Sequence, residues 1–94
     1  MIPGLTSKLN EHTIRPTPTI QATADLVWLV GAGDKVKNIT PRYAGFSGML
    51  IVIPSNTDAV LAPGGNINVV ANLTLPAGKP AFLIWSKITR KWYI

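Results

Sequence analysis

The chain is expected to be all-β: a small antiparallel β-sandwich or jelly-roll-like barrel over residues 20–94, preceded by an extended N-terminal arm over residues 1–19. Three observations predict this. Apolar runs of strand length recur at residues 26–30, 49–53, 60–62, 67–71, 82–85 and 92–94. Clusters of Gly, Pro, Asn and Ser separate them, as turns require. No stretch has both the length and the 3.6-residue period of a long amphipathic helix.

The arm carries Pro3, Pro16 and Pro18. Proline fixes its own φ and biases the preceding residue away from helix, so residues 15–18 should be extended. A helix over residues 7–12 would be barely two turns long. Ile2, Leu5, Leu9 and Ile14 leave two readings, a tail or a strap that orders against a neighbouring subunit.

The body begins near Thr19, with a strand over residues 20–24 and another, or its continuation, over 25–30. Residues 26–30, Leu-Val-Trp-Leu-Val, are apolar on both faces, which marks a central strand or one whose second face meets a partner. Residues 31–34 turn the chain into a short strand at 36–39, closed by Pro41. A glycine-punctuated connection through Gly45 and Gly48 leads to a strand at 48–53. Residues 55–58 and 63–66 are turns flanking a strand at 59–62. In the second turn Gly64 or Gly65 supplies positive φ and Asn66 bonds to nearby backbone. Strands follow at 67–72 and 73–75. Residues 80–86 and 90–94 form a final hairpin with residues 87–89 at its tip.

Ninety-four residues make one domain. A chain this small buries a modest fraction of its surface, and with no cysteine it has no disulfide to reinforce it. Yet 47% of its residues are hydrophobic, so part of that surface is expected to be buried between subunits of a homo-oligomer. The net charge is +5, but only 14% of residues are charged, which is weak basicity over a mostly neutral surface. No apolar run reaches membrane-spanning length, and no basic segment followed by an apolar stretch marks a secretion signal. Membrane insertion is therefore not expected.

Candidate chemistry is sparse. His12 and Glu11, the only histidine and only glutamate, have the residue types of a base and its orienter but no nearby nucleophile. Asp34 and Asp58 lie in turns, where a carboxylate routinely accepts a backbone N–H. Gly31-Ala32-Gly33 lacks the third glycine and the helix of a dinucleotide site, and Gly78-Lys79 lacks most of a phosphate loop. Ser47 sits in an incomplete nucleophile elbow with no histidine to activate it. Asn38-Ile39-Thr40 and Asn72-Leu73-Thr74 match the glycosylation pattern by coincidence. No catalytic residue, metal site or cofactor is expected.

Binding features are richer. Lys35, Lys37 and Arg42 form one basic grouping; Lys87, Arg90 and Lys91 form another beside Trp92 and Tyr93. Basic and aromatic residues on a sheet can neutralise phosphates and stack bases, but Trp92 and Tyr93 point to opposite faces. Trp28, Trp85 and Trp92 are expected as core or interface aromatics, and an exposed tryptophan could instead stack on a sugar ring.

The sequence Val36-Lys37-Asn38-Ile39-Thr40-Pro41, the run Gly45-Phe46-Ser47-Gly48 before an apolar strand, the turn Gly64-Gly65-Asn66-Ile67 and the closing Lys91-Trp92-Tyr93 belong together. Residues 36–94 on this basis resemble a β-rich module of tailed-bacteriophage virion structural proteins, often found at the end of appendage or fibre proteins. The acidic hairpin tip usual before the terminal tryptophan is replaced here by residues 86–90. The resemblance implies a non-enzymatic component of the virion, typically trimeric, serving as a capsid decoration or as part of a tail or fibre. Its partners would be copies of itself and other virion proteins, with a host-surface glycan as a further ligand. Asn38, Gly45, Gly48, Gly64, Gly65, Asn66 and Trp92 would be structural. Two alternatives stand beside it, a carbohydrate- or receptor-binding module and a single-stranded nucleic-acid-binding β-barrel, nucleic acid being the less favoured partner.

Overall fold

The computed structural model describes residues 10–94, and within them the chain is β-structure and turns with no helix. The strands are β1 (Glu11–Ile14), β2 (Thr19–Gln21), β3 (Leu26–Leu29), β4 (Asn38–Thr40), β5 (Gly48–Pro54), β6 (Ala59–Leu61), β7 (Leu73–Leu75), β8 (Ala81–Ser86) and β9 (Lys91–Tyr93). A five-stranded sheet runs β1-β3-β5-β8-β9, and two-stranded sheets pair β2 with β4 and β6 with β7. A parallel bridge from Val36 to Leu61 joins the two small sheets into a second layer.

The expected all-antiparallel pairing is corrected: the sheets are mixed. β1 with β3, β3 with β5 and β2 with β4 are parallel, while β5 with β8, β8 with β9 and β6 with β7 are antiparallel. Parallel neighbours need a long crossover between them. Here each crossover is itself a strand of the opposite layer: β2 lies between β1 and β3, and β4 between β3 and β5. The chain thus winds between layers until β5, crosses to the second layer once more for the β6–β7 pair, and returns to the large sheet as the β8–β9 hairpin. No sheet closes into a barrel.

Residues 10–14, expected in an arm, lie along their own chain as the edge of the large sheet. Leu26 N–H donates to Asn10 O and Val30 N–H to Ile14 O. The proline segment is tied down as well, because Pro16 O accepts from Asp34 N–H and Pro18 O accepts from Lys37 and Asn38 N–H. Of residues 7–12, where a helix would be barely two turns long, residues 11 and 12 are strand, and residues 7–9 lie outside the described residues. Residues 67–72 are not a strand. Ile67 makes one bridge to Trp92, after which Val69 N–H donates to Ile67 O, an i→i+2 turn that ends the pairing.

Alternation explains the core. The inward positions of the large sheet are Val27 and Leu29, Leu50 and Val52, Leu83 and Trp85, and Trp92. They meet Ile20, Val36, Ile39, Leu61 and Ile67 from the second layer in one buried cluster. Among the described residues, no polar or charged residue is buried with them. At about 25 cal/mol per Å² of apolar surface removed from water, this cluster is the main stabilising element of the fold.

Candidate functional site

Two surfaces stand out, and both follow from strand register. The first is the outer face of the large sheet. Met49, Ile51 and Ile53 on β5 face outward, opposite Ile84, Phe82 and, on β3, Trp28. Tyr93 on β9 extends the row beyond Ile84. Met49, Phe82 and Ile84 are each about half exposed (51%, 51% and 52%), and they adjoin one another across β5 and β8. Among the described strand residues, charges occur only at the margins of this face: Glu11 on edge strand β1 and Lys91 on edge strand β9. Trp28 Nε1 donates to Glu11 Oε1 at 2.9 Å, which fixes the indole on this face.

The second surface is an open groove of about 1130 Å³ at the end of the two layers, between the β8–β9 hairpin tip and the connections after β2 and β4. Arg42 and Tyr43 from the connection after β4 and Lys87, Ile88 and Arg90 from the hairpin tip line it, together with Thr23, Thr40 and Trp85. Gln21 Nε2 donates to the carbonyls of Thr40 and Pro41 and so holds the β2 and β4 ends together. Arg42 Nη1 donates to Asp25 Oδ1 at 2.7 Å. The Tyr43 ring packs edge-on against Phe46, with centroids 5.4 Å apart, and stays 62% exposed. The tip is braced internally: Arg90 N–H donates to Ser86 O, and Tyr93 Oη and Thr89 Oγ1 share a hydrogen bond of 2.9 Å.

The structure separates residues that the sequence grouped. Lys87 and Arg90 line the groove, while Lys91 lies on the outer sheet face. Among the aromatics, Trp92 is fully buried and Trp85 nearly so, their rings 5.2 Å apart, whereas Trp28 is partly exposed on the outer face. Glu11 and His12 do not form a pair. Glu11 holds Trp28, and His12 Nδ1 shares a 2.7 Å hydrogen bond with Thr23 Oγ1. Asp58 accepts Ala77 N–H, the turn role expected of it. Among the described residues, no three metal-ligating side chains cluster.

The glycine and asparagine positions are architectural. Gly45 and Gly64 have φ of +81° and +100° in their turns. A Cβ on Gly65 would stand 2.0 Å from Lys37 O, so only glycine allows that backbone approach. Gly48 begins β5, and Asn38 Oδ1 accepts the Asn66 N–H. The exposed Tyr43 lines the groove, and in the sequence only its position between Arg42 and a glycine-rich connection marks it.

No protein-family model, no curated protein and no solved structure matches this chain.

Proposed function

We propose that the chain is a non-enzymatic structural subunit that assembles with copies of itself through the outer face of its five-stranded sheet. The observation that carries this reading is the contiguous apolar row Met49, Phe82 and Ile84, half exposed and flanked by Ile51, Ile53 and Trp28. A monomer of this size gains nothing from leaving such a row in water. Patches of this kind mark surfaces that meet another protein. A second copy is the favoured occupant because the face is uncharged at its centre and carries an acid at one edge and a base at the other. A two-fold axis parallel to the strands would bring the Glu11 edge of one copy against the Lys91 edge of the next. In a three-fold assembly the same face would be shared heterologously.

The resemblance to bacteriophage virion modules gives this subunit a setting: a capsid decoration or a tail or fibre element, located in the virion and contacting other particle proteins. A trimer is the expected stoichiometry on that basis.

Sedimentation velocity across a dilution series tests the reading. The wild-type chain should sediment as an oligomer at micromolar concentration. Phe82→Lys with Ile84→Lys should yield a folded monomer, because both side chains sit on the outer face and fill no core volume. A wild-type monomer throughout the series would overturn the proposal.

A further inference from the structure

We infer that the groove at the hairpin end binds an acidic oligosaccharide, a chain of sugar rings bearing carboxylates. The inference is independent of self-association, because none of the groove residues lies on the outer face of the large sheet.

Charge is the first reason. Lys87 and Arg90 from the tip and Arg42 from the connection after β4 line the groove, and no carboxylate lines it among the described residues. The chain has only four acidic side chains, Glu11, Asp25, Asp34 and Asp58, and none falls within residues 1–9. Asp25 is engaged with Arg42, Glu11 with Trp28 and Asp58 with Ala77. With Arg42 neutralised by Asp25, Lys87 and Arg90 still leave the groove an excess of positive charge on a weakly charged surface, which favours an anionic ligand. Arg42, held by Asp25, and Arg90 present planar guanidinium groups suited to carboxylate geometry.

Backbone strain is the second reason. Arg90 is the only non-glycine residue with positive φ among the described residues, at 58°. The left-handed region at the end of a hairpin loop is where glycine or asparagine is the stable choice. A strained residue whose side chain lines a groove points to a role for that side chain. The bond from Arg90 N–H to Ser86 O and the brace from Tyr93 to Thr89 hold the tip in this conformation.

Shape and polarity select sugar over nucleic acid. The groove, at about 1130 Å³, is open and slightly beyond the range of ~300–1,000 Å³ typical of small-molecule sites, so it fits several rings of a chain. Tyr43 offers one exposed aromatic face, held by Phe46, for the apolar C–H face of a pyranose. Thr40 supplies a hydroxyl to the lining, beside Thr23, whose Oγ1 is already bonded to His12 Nδ1. A strand of nucleic acid needs several stacking platforms along a basic track. Trp85, the other aromatic residue of this groove, is buried.

Calorimetric titration of the full chain at physiological salt tests this, with a hyaluronan tetrasaccharide as the acidic probe. Chitotetraose serves as the neutral probe and an eight-nucleotide thymidine strand as the nucleic-acid probe. The acidic tetrasaccharide should bind at least tenfold more tightly than either. Arg90→Gly should lower that affinity at least tenfold while raising the melting temperature, since it relieves the strained φ. That combination cannot come from a purely structural arginine. Lys87→Ala should weaken binding with no change in melting temperature, and Phe82→Lys should leave it unchanged. Failure to saturate with millimolar acidic tetrasaccharide, equal affinity for the neutral probe, tighter binding of the thymidine strand, or unaltered binding by Arg90→Gly would each overturn the inference.

Discussion

The side-chain amide of Asn66 completes the hydrogen bonding of Ile39. Its Oδ1 accepts the Ile39 N–H at 2.9 Å and its Nδ2 donates to the Ile39 carbonyl at 2.8 Å. In the parallel pair of β2 and β4, Asn38 N–H and Thr40 O bond toward β2, so the backbone groups of Ile39 point the other way. No strand among the described residues lies there, and Asn66 takes the place of one. Its own main chain meanwhile accepts Trp92 N–H, so this one residue joins the second layer to the large sheet.

Asn66→Ala is expected to destabilise the fold by about 1–3 kcal/mol, the range for leaving one buried group, the Ile39 N–H, unpaired, while the Ile39 carbonyl keeps its bond from Trp92 Nε1. Asn66→Asp should cost more at neutral pH, because a carboxylate would face the Ile39 carbonyl where an N–H₂ now donates. Urea denaturation of both variants, followed by tryptophan fluorescence, measures the difference. Equal stability of wild type and Asn66→Ala would show that the bridge contributes nothing.

Gly65 and Gly45 separate close approach from backbone conformation. Gly65→Ala drives a Cβ into Lys37 O at 2.0 Å, backbone against backbone, so Asn66 must shift out of register with Ile39. At Gly45, φ is +81° but nothing lies within 4 Å, so alanine meets only a conformational penalty of roughly 1 kcal/mol. Thermal melts should therefore show a large loss for Gly65→Ala, or no folded protein, and a small loss for Gly45→Ala. The reverse ranking would contradict the turn geometry.

Trp92 unites packing and polarity at the same junction. It is wholly buried against Trp85, and its Nε1 donates to the Ile39 carbonyl at 2.8 Å, alongside Asn66. Trp92→Phe removes the donor and part of the ring, and the expected cost is about 2–4 kcal/mol from the lost bond and the void. Chemical denaturation reads the loss. A near-ultraviolet dichroism spectrum should also change, because the Trp85–Trp92 pair is broken, whereas Trp28→Phe should alter it far less.

Much of this architecture is legible in the residues, and the failures are specific. The strand at residues 48–54 reads from an unbroken apolar run bounded by Gly48 and Pro54, and the final hairpin reads from two apolar runs around a polar tip. Parallel pairing was missed because turn spacing resembles that of hairpins, yet one signal was present. Leu26-Val27-Trp28-Leu29-Val30 is apolar on both faces, as central strands of parallel sheets are. Asn66 reads as a turn residue, and its bond to Ile39, 27 positions away, has no local trace. The groove was half legible. Lys87 and Arg90 group in sequence, but period-two alternation sends Lys91 to the other face, and Tyr43 joins the site only through tertiary contact. Positive φ at Arg90 has no sequence signature at all, since arginine is not a residue from which it would be inferred.

The parallel register of the edge strand can be tested by cross-linking, since the chain has no cysteine of its own. Thr13 lies directly opposite Trp28 in the pairing of β1 with β3. Both face outward, so Thr13→Cys with Trp28→Cys places two sulfurs on neighbouring strands at the same level, within disulfide reach. Oxidation should join them and stabilise the fold by about 3 kcal/mol, the value for closing a loop of ~15 residues, less any strain. The pair Glu11→Cys with Trp28→Cys, displaced along β1 by one outward position, should oxidise far more slowly under the same conditions. Equal rates for the two pairs would mean that residues 11–14 do not hold a fixed register beside β3. An edge strand in fixed register would instead protect the β1 amides from hydrogen exchange wherever they bond to β3. The cross-linked form should retain that protection at denaturant concentrations where the uncross-linked variant has lost it.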